Sequence, residues 1–203
     1  MNVTLPICYN HTQNNVIYFK KERNDTILDD NNLNPAITKS ENWNCWYVKI
    51  SPTTCERCLK LNLRIFAVYD LFAPPLHPNC RCTLAPLGAI YSGTATINGL
   101  SGADVWLKLY GQLPKEYVNK DYAKKYGWKN YLGNLKKVLP NATIGGDIYY
   151  NDKQLLPIKP GRIWYEADIN YTGGYRNHHR LLYSNDGLLF VTYDHYNTFY
   201  EII

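Results

Sequence analysis

An α+β fold is expected for the larger, C-terminal part of this 203-residue chain. Short helical patterns come first there, and a run of β-branched and aromatic segments follows. Gly, Pro, Asn and Asp separate those segments at hairpin-like intervals. The expected architecture is a few short N-terminal helices packed on an antiparallel sheet of roughly five strands. A smaller Cys-rich domain precedes it.

The cysteines mark the division. Cys8, Cys45, Cys55, Cys58, Cys80 and Cys82 all fall in the first 82 residues, and the rest of the chain has none. The stretch "PLGAIYSGTATINGLSG" (86–102) is rich in Gly, Ser and Thr and reads as the connection. The expected organisation is therefore a Cys-rich module at 1–87, a linker at 88–101 and a second domain at 102–203. The polar, Asn-rich "DDNNLNPAITKSENWN" (29–44) reads as a loop.

In the second domain, "ADVWLKLYGQLP" places Val105, Trp106 and Leu109 near one helix face, with Gly111 and Pro114 as stop signals. "NKDYAKKYGW" reads as a short helix capped by Asn119 and ended by Gly127, and "NLKKVLP" as a third. The strand signals are "DIYY", "IWYEADI", "YRNHHRLLYS", "LLFVTYD" and "NTFYEII", with "SNDG" (184–187) a hairpin turn.

Composition narrows the function. No apolar run approaches the roughly 18 residues of a membrane span. The start of the chain has neither the basic nor the apolar part of a secretory signal. Met1 is the only methionine, and it fits a piece of a longer parent polypeptide better than a natural start. A net charge of +5 and 19 tyrosines suit a polyanionic partner such as RNA.

The densest chemistry is in "WYEADINYTGGYRNHHR" (164–180). Glu166 and Asp168 share a strand parity with Trp164, and Arg176 and Arg180 share one with each other. His195 ends the fourth strand. If these faces coincide, the sheet carries carboxylate, guanidinium and imidazole groups together. The alternative is a solvated sheet face laced with salt bridges.

Residues 102–203 resemble barnase-like bacterial ribonucleases. The resemblance rests on Leu113, Pro114 and Lys120, "GW" (127–128), "GN" (133–134), "IGGDI" (144–148), "EADINYT" (166–172), Arg176, Asn177 and Arg180, and "DHY" with "TF" (194–199). It implies cleavage of single-stranded RNA by 2′-hydroxyl attack through a 2′,3′-cyclic phosphate, with no cofactor for catalysis. It implies Glu166 as base, His195 as acid, and Arg176, Arg180 and Lys120 as a charge clamp. The chemistry itself asks for such a set. Asp168 is expected to hold Arg176 or Arg180. Gly145 and Gly146 are expected to allow unusual backbone conformation, and His178 and His179 to be surface residues. Asn151, Tyr196 and Asp152 are the substrate-binding candidates.

The resemblance breaks at one loop. The family's loop after "GGDI" reads guanine with a glutamate, whereas this chain has "YYNDKQLLP", with Asp152 and Lys153 where the family has arginine and glutamate. A lysine cannot accept hydrogen bonds from guanine, so base preference is left open.

In the first module, Cys55, Cys58, His77, Cys80 and Cys82 fit a zinc site of thiolates and imidazole. A pair of disulfides or free thiols are the alternatives. "HPNCRC" resembles the C-terminal motif of phage Mu F-like head morphogenesis proteins. Cys8 and Cys45 have no role assigned, and sequons such as Asn2 and Asn10 are read as meaningless.

Two functions compete. One is a ribonuclease toxin, secreted or delivered into the cytoplasm of target cells and neutralised by an acidic, barstar-like immunity protein. The other is a phage-derived structural or binding module carrying an inactive ribonuclease fold.

Overall fold

The computed structural model describes residues 35–203. Cys8, the sequons at Asn2 and Asn10 and the first part of the 29–44 stretch lie outside them. The described chain forms two compact units. One comprises Ile37–Ala89 with Asn151–Pro160, and the other comprises Ile90–Tyr150 with Gly161–Ile203.

The first unit holds β1 (Ile37–Val48), the one-turn helix α1 (Glu56–Leu59), β2 (Ile65–Ala67) and most of β3 (Cys82–Ile90). Strand order is β2-β1-β3. β1 corrects the loop expected at 29–44. Its polar residues disguise a strand that buries Trp43, Cys45 and Trp46 and pairs Cys45 with Ile65 of β2. Buried Ser40 adds an irregularity, its Oγ accepting from the Trp43 amide at 2.8 Å. Trp46, Cys58, Leu61 and Cys82 form this unit's small core.

The second unit begins with a turn and a 3-10 helix, Gly99–Ser101, leading into α2 (Ala103–Tyr110). Then come β4 (Tyr117–Val118), α3 (Lys120–Lys125), α4 (Leu135–Val138), β5 (Thr143–Tyr149), β6 (Trp164–Asp168), β7 (Arg180–Ser184), β8 (Leu189–Thr192) and β9 (Tyr200–Ile202). Their order is β9-β8-β7-β6-β5-β4. The α+β class holds, but nine strands occur among the described residues in place of roughly five. The sheet is also mixed, since β4 runs parallel to β5.

Residues 88–101 are built structure. The Ile203 amide donates to the Ile90 carbonyl and its carbonyl accepts from the Ser92 amide, and Ala95 and Thr96 are buried. The Ala95 carbonyl accepts from the Tyr193 hydroxyl at 2.9 Å. Asp104, wholly buried, accepts from the Gly93 amide at 2.6 Å.

The buried face of α2 is Ala103, Asp104 and Leu107 rather than the expected Val105, Trp106 and Leu109. Leu109 is 66% exposed, and Trp106 packs its ring on Tyr110 one turn on. α3 follows the sequence reading. The Asn119 side chain accepts from the Tyr122 amide at 2.8 Å, and Gly127 adopts φ +89° just past the end. Among the described residues no helix is long and apolar enough to cross a membrane.

Candidate active site and cysteine cluster

β6 and its neighbours hold the dense charge seen in the sequence. Glu166 and Asp168 are both buried, at 8% and 1% exposure. Each is matched to cations, as buried carboxylates must be. Asp168, expected to hold one arginine, pairs with two. Arg176 donates to it through Nε and a terminal nitrogen, both at 2.6 Å. Arg180 places Nε 3.0 Å from Oδ1, a close ion pair without hydrogen-bond alignment.

The Arg180 position follows from register, because it sits opposite Asp168 across β6 and β7. Arg176 does not lie on β7, as the reading of "YRNHHRLLYS" had it. It comes from the loop before β7, which Asn177 fixes by donating to the carbonyls of Ile169 and Asn170. Burial would lower the Arg176 pKa, but the Asp168 carboxylate outweighs it and raises it.

Glu166 is held at both oxygens. Lys120 Nζ donates to Oε1 at 2.5 Å, and the Tyr196 hydroxyl donates to Oε2. Burial pushes the Glu166 pKa up. The contacts from Lys120 and Tyr196, with the field of Arg176, outweigh it and bring the group below its ordinary value. Glu166 is therefore ionised at neutral pH, and each oxygen keeps a lone pair for a substrate proton.

Lys120 is positioned by a residue the sequence reading passed over. Asp147 accepts from the Lys120 backbone amide with both carboxylate oxygens, at 3.2 and 3.1 Å, and so anchors the start of α3. Asp147 faces Glu166 because β5 carries a bulge between Gly145 and Asp147. Gly146 takes φ +90° there. Gly145 serves instead to admit Tyr117, whose ring would lie 2.6 Å from a Cβ. The signal for Asp147 was present in "IGGDI", where a glycine pair precedes a carboxylate.

His195 and Tyr196 follow β8 in a tight loop. Both have left-handed backbone, φ +56° and +68°. Such strain costs about 1 kcal/mol or more per residue and persists only where neighbours enforce it. Here Asp194 organises the loop. Its carboxylate accepts from the amides of Asn197 and Thr198 and from the Thr192 and Thr198 hydroxyls. The His195 amide donates to the His178 carbonyl at 3.2 Å.

The His195 ring lies 4.7 Å from Tyr196 and 5.3 Å from His178, centre to centre. Burial, Arg180 and His178 lower its pKa, while Glu166 works in the opposite sense. His178 is exposed, as expected, yet it borders the imidazole. His179 packs edge-on against Tyr193. The Tyr149 ring, at the end of β5, stacks on Tyr196 at 5.1 Å.

Glu166, Lys120, Arg176, Arg180, His195 and Tyr196 are thus one interacting set in the second unit. Asn151 and Asp152 belong to the segment that packs with the first unit. Asn151 is buried and closes its own loop, donating to the Leu156 carbonyl at 2.9 Å and accepting from its amide at 3.1 Å. Asp152 and Lys153 are exposed.

This combination is a base candidate, an imidazole and clustered cations on one sheet face. A family profile described as ribonuclease matches residues 105–203. A ribonuclease of Heyndrickxia coagulans is 46% identical over 108 residues, which cover 53% of this chain and 99% of that protein. The ribonucleases of Bacillus intermedius and Bacillus pumilus are each 46% identical over 108 residues, 67% of their length. The chain belongs to the ribonuclease family. Its ribonuclease domain is an RNA-cleaving enzyme, and the groups described above lie inside the matched stretch. The Cys-rich unit lies outside it.

In the first unit, five ligand candidates gather. Cys55, Cys58 and His77 form one set with ligand atoms within 4.8 Å of one another, and Cys58, Cys80 and Cys82 form another. The sulfurs of Cys58 and Cys80 are 3.9 Å apart, and His77 Nε2 is 3.2 Å from Cys58 Sγ and 3.3 Å from Cys55 Sγ. A disulfide needs sulfurs about 2 Å apart. A tetrahedral ion with bonds of about 2.3 Å to sulfur holds them about 3.8 Å apart.

His77 Nδ1 lies 2.8 Å from the Pro78 carbonyl, which can only accept. Neutral His77 would carry its proton on Nδ1 and turn the Nε2 lone pair toward the sulfurs. Backbone contacts from Leu76 and Cys82 draw the Cys80 pKa down to about 7. These donors fit a metal ion. Cys45 stands apart, buried on β1.

Proposed function

We propose that this protein is an endoribonuclease that cleaves single-stranded RNA by transphosphorylation. Glu166 takes the proton of the 2′-hydroxyl, and the freed 2′-oxygen attacks phosphorus. The P–O5′ bond breaks, and His195 delivers a proton to the departing oxygen. In the second step, neutral His195 takes a proton from water, and protonated Glu166 returns one to the 2′-oxygen as the cyclic phosphate opens.

Arg176, Arg180 and Lys120 neutralise the phosphoryl oxygens as charge grows. Asp168 keeps the two guanidinium groups in place. Tyr196 and the Tyr149 ring stacked on it offer an aromatic wall for the nucleotide. The chemistry needs no metal. The observation that carries this reading is Glu166, ionised and held by Lys120 and Tyr196 beside His195 and the paired arginines.

The test is an RNA oligonucleotide with one 2′-deoxy position. Cleavage should yield 2′,3′-cyclic phosphate ends at every site except the deoxy one. Scission there would refute attack by the 2′-oxygen.

We further propose that the enzyme acts as a toxin, secreted or delivered into target cells, and that an acidic immunity protein covers its cations. The Cys-rich unit outside the ribonuclease match supports a delivery role, and the cationic cleft supports an acidic inhibitor. We assign a structural zinc ion to the cluster of Cys55, Cys58, His77, Cys80 and Cys82. The sulfur spacing and the direction in which His77 turns Nε2 support it.

A further inference from the structure

The cysteine cluster opens into a cavity of about 580 Å³ that belongs wholly to the first unit. Cys58 and Cys82 are buried in it, whereas Lys49, Thr53, Asn79 and Arg81 are exposed around it. A structural ion, closed in by four ligands, needs no such opening.

Two hydrogen-bonded turns shape the rim. In the first, the Thr54 amide donates to the Ser51 carbonyl at 3.0 Å, and the Ser51 amide donates to Thr54 Oγ1 at 2.7 Å. The Ser51 hydroxyl lies 3.2 Å from those of Thr53 and Thr54. In the second, the Cys80 amide donates to the His77 carbonyl at 3.1 Å, and Asn79 takes left-handed backbone, φ +62°. Asparagine visits that conformation more readily than most residues.

The rim is cationic. Arg81 spans the two turns and donates to Ser51 Oγ. That bond holds the guanidinium and leaves most of its five donors open. Lys49 follows Val48, the last residue of β1. Lys60, Arg162 and Arg176 each pair with a carboxylate, but among the described residues Lys49 and Arg81 do not. Between Ile37 and Ala89, six Lys and Arg stand against three Asp and Glu, so the surroundings do not cancel the two charges. Guanidinium, ammonium, hydroxyl and side-chain amide are the groups that hold backbone phosphates.

We propose that this cavity is a second RNA-binding site, in which Lys49 and Arg81, with the Thr53 hydroxyl and the Asn79 amide, hold the phosphates of a single strand. The family match to a ribonuclease favours RNA over other polyanions, and the matched residues 105–203 exclude this site. Its contacts go to the backbone, so it takes RNA of any sequence. A strand held there stays at high local concentration for the nuclease on the same chain. The inference needs RNA as the substrate and no step of the cleavage chemistry.

The test titrates the full chain with a short 2′-O-methyl RNA single strand, which has no free 2′-hydroxyl. Binding is read at the amide resonances of Thr53, Asn79 and Arg81, which should shift together and saturate with one Kd. Each phosphate contact on a single strand adds about 0.7 to the slope of log affinity against log salt. At about 0.1 M salt, Lys49→Ala should therefore weaken that Kd roughly fivefold, and Lys49→Ala with Arg81→Ala roughly 25-fold. The slope should fall by about 0.7 and about 1.4. Arg81→Lys should keep most of the affinity that Arg81→Ala loses.

Metal content is measured on the same samples. Variants that lose metal but bind RNA as wild type does would show that the cations only balance the sulfurs, and would overturn the inference. So would resonances that stay still while the strand binds elsewhere, inorganic phosphate that matches the strand at equal phosphate concentration, or a preference for phosphatidylglycerol vesicles over RNA. Scission of the 2′-O-methyl strand would sink the cleavage mechanism and leave this inference standing, because the three resonances report binding alone.

Discussion

Replacing Lys120 with alanine separates two roles that the side chain combines. In the free enzyme its ammonium contacts Glu166 at 2.5 Å, and it is also a proposed phosphate clamp. Two unit charges at that distance interact by about 1.7 kcal/mol even at the dielectric of water. That is about one pKa unit on Glu166. The Lys120 side chain is 32% exposed, so solvent keeps the effect near this lower bound.

The Glu166 pKa lies below its ordinary value, in part because of this lysine, so removal must raise it. A general base works only when deprotonated, and the acid limb of kcat/KM against pH should therefore move upward by about one unit. Stability follows the same sign. A carboxylate with a lowered folded pKa contributes stability above its unfolded pKa, ordinarily 4.5, and loses it as pH falls through the folded value. Lys120→Ala should be less stable than wild type at neutral pH, and the difference should close in acid.

Cleavage of a dinucleotide from pH 3 to 9, paired with urea unfolding at both ends of that range, reads both effects. A uniform fall in rate with an unmoved acid limb would refute the coupling of Lys120 to Glu166 and leave only the clamp.

His195→Ala should lower cleavage by on the order of 10³-fold or more and abolish the alkaline limb, because the 5′-oxygen then leaves without a proton. Wild-type rate in the folded variant would remove His195 from the mechanism. His178→Asn should move the alkaline limb to higher pH by a few tenths of a unit, since His178 is one of the groups lowering the His195 pKa; a shift to lower pH would contradict that. Asp168→Asn leaves two guanidinium groups without their carboxylate and should cost about 3–5 kcal/mol. Amide exchange at Leu181 and Val191 should then accelerate by roughly 10²- to 10⁴-fold, and unchanged exchange would show that the arginines need no such partner. Metal analysis of protein purified without added zinc should find about one zinc per chain, absent in Cys58→Ser; metal-free wild type would rule the site out.

The candidate catalytic face was legible because its signals are local. Strand parity placed Glu166 and Asp168 together, and the Asn119 cap and Gly127 stop framed α3. What escaped depends on distance along the chain or on backbone detail. β1 begins with the polar run Thr38–Asn42 and adds Asn44, and only its pairing with β2 shows why those residues extend. The two-residue β4 is too short to carry a period, so the parallel edge went unseen. Lys120 could be assigned a cationic role from its position, but that it rests on Glu166 is a matter of side-chain reach. The α2 face was misjudged because Trp106 and Tyr110 satisfy each other at the surface. No pattern in "NDKQLLP" announces that its carbonyls are held by Arg64 and Ile65, some ninety positions earlier.

The bulge in β5 has an implication for how this enzyme can diverge. Its extra residue is what sets Asp147, rather than Gly146, opposite Glu166. Deleting one codon there would turn Asp147 to the other side of the strand and strip the first turn of α3 of its anchor. Substitutions along β5 can be sampled one at a time, whereas changes in its length cannot. In descendants of this chain the distance from Thr143 to Tyr149 should therefore stay constant to the residue.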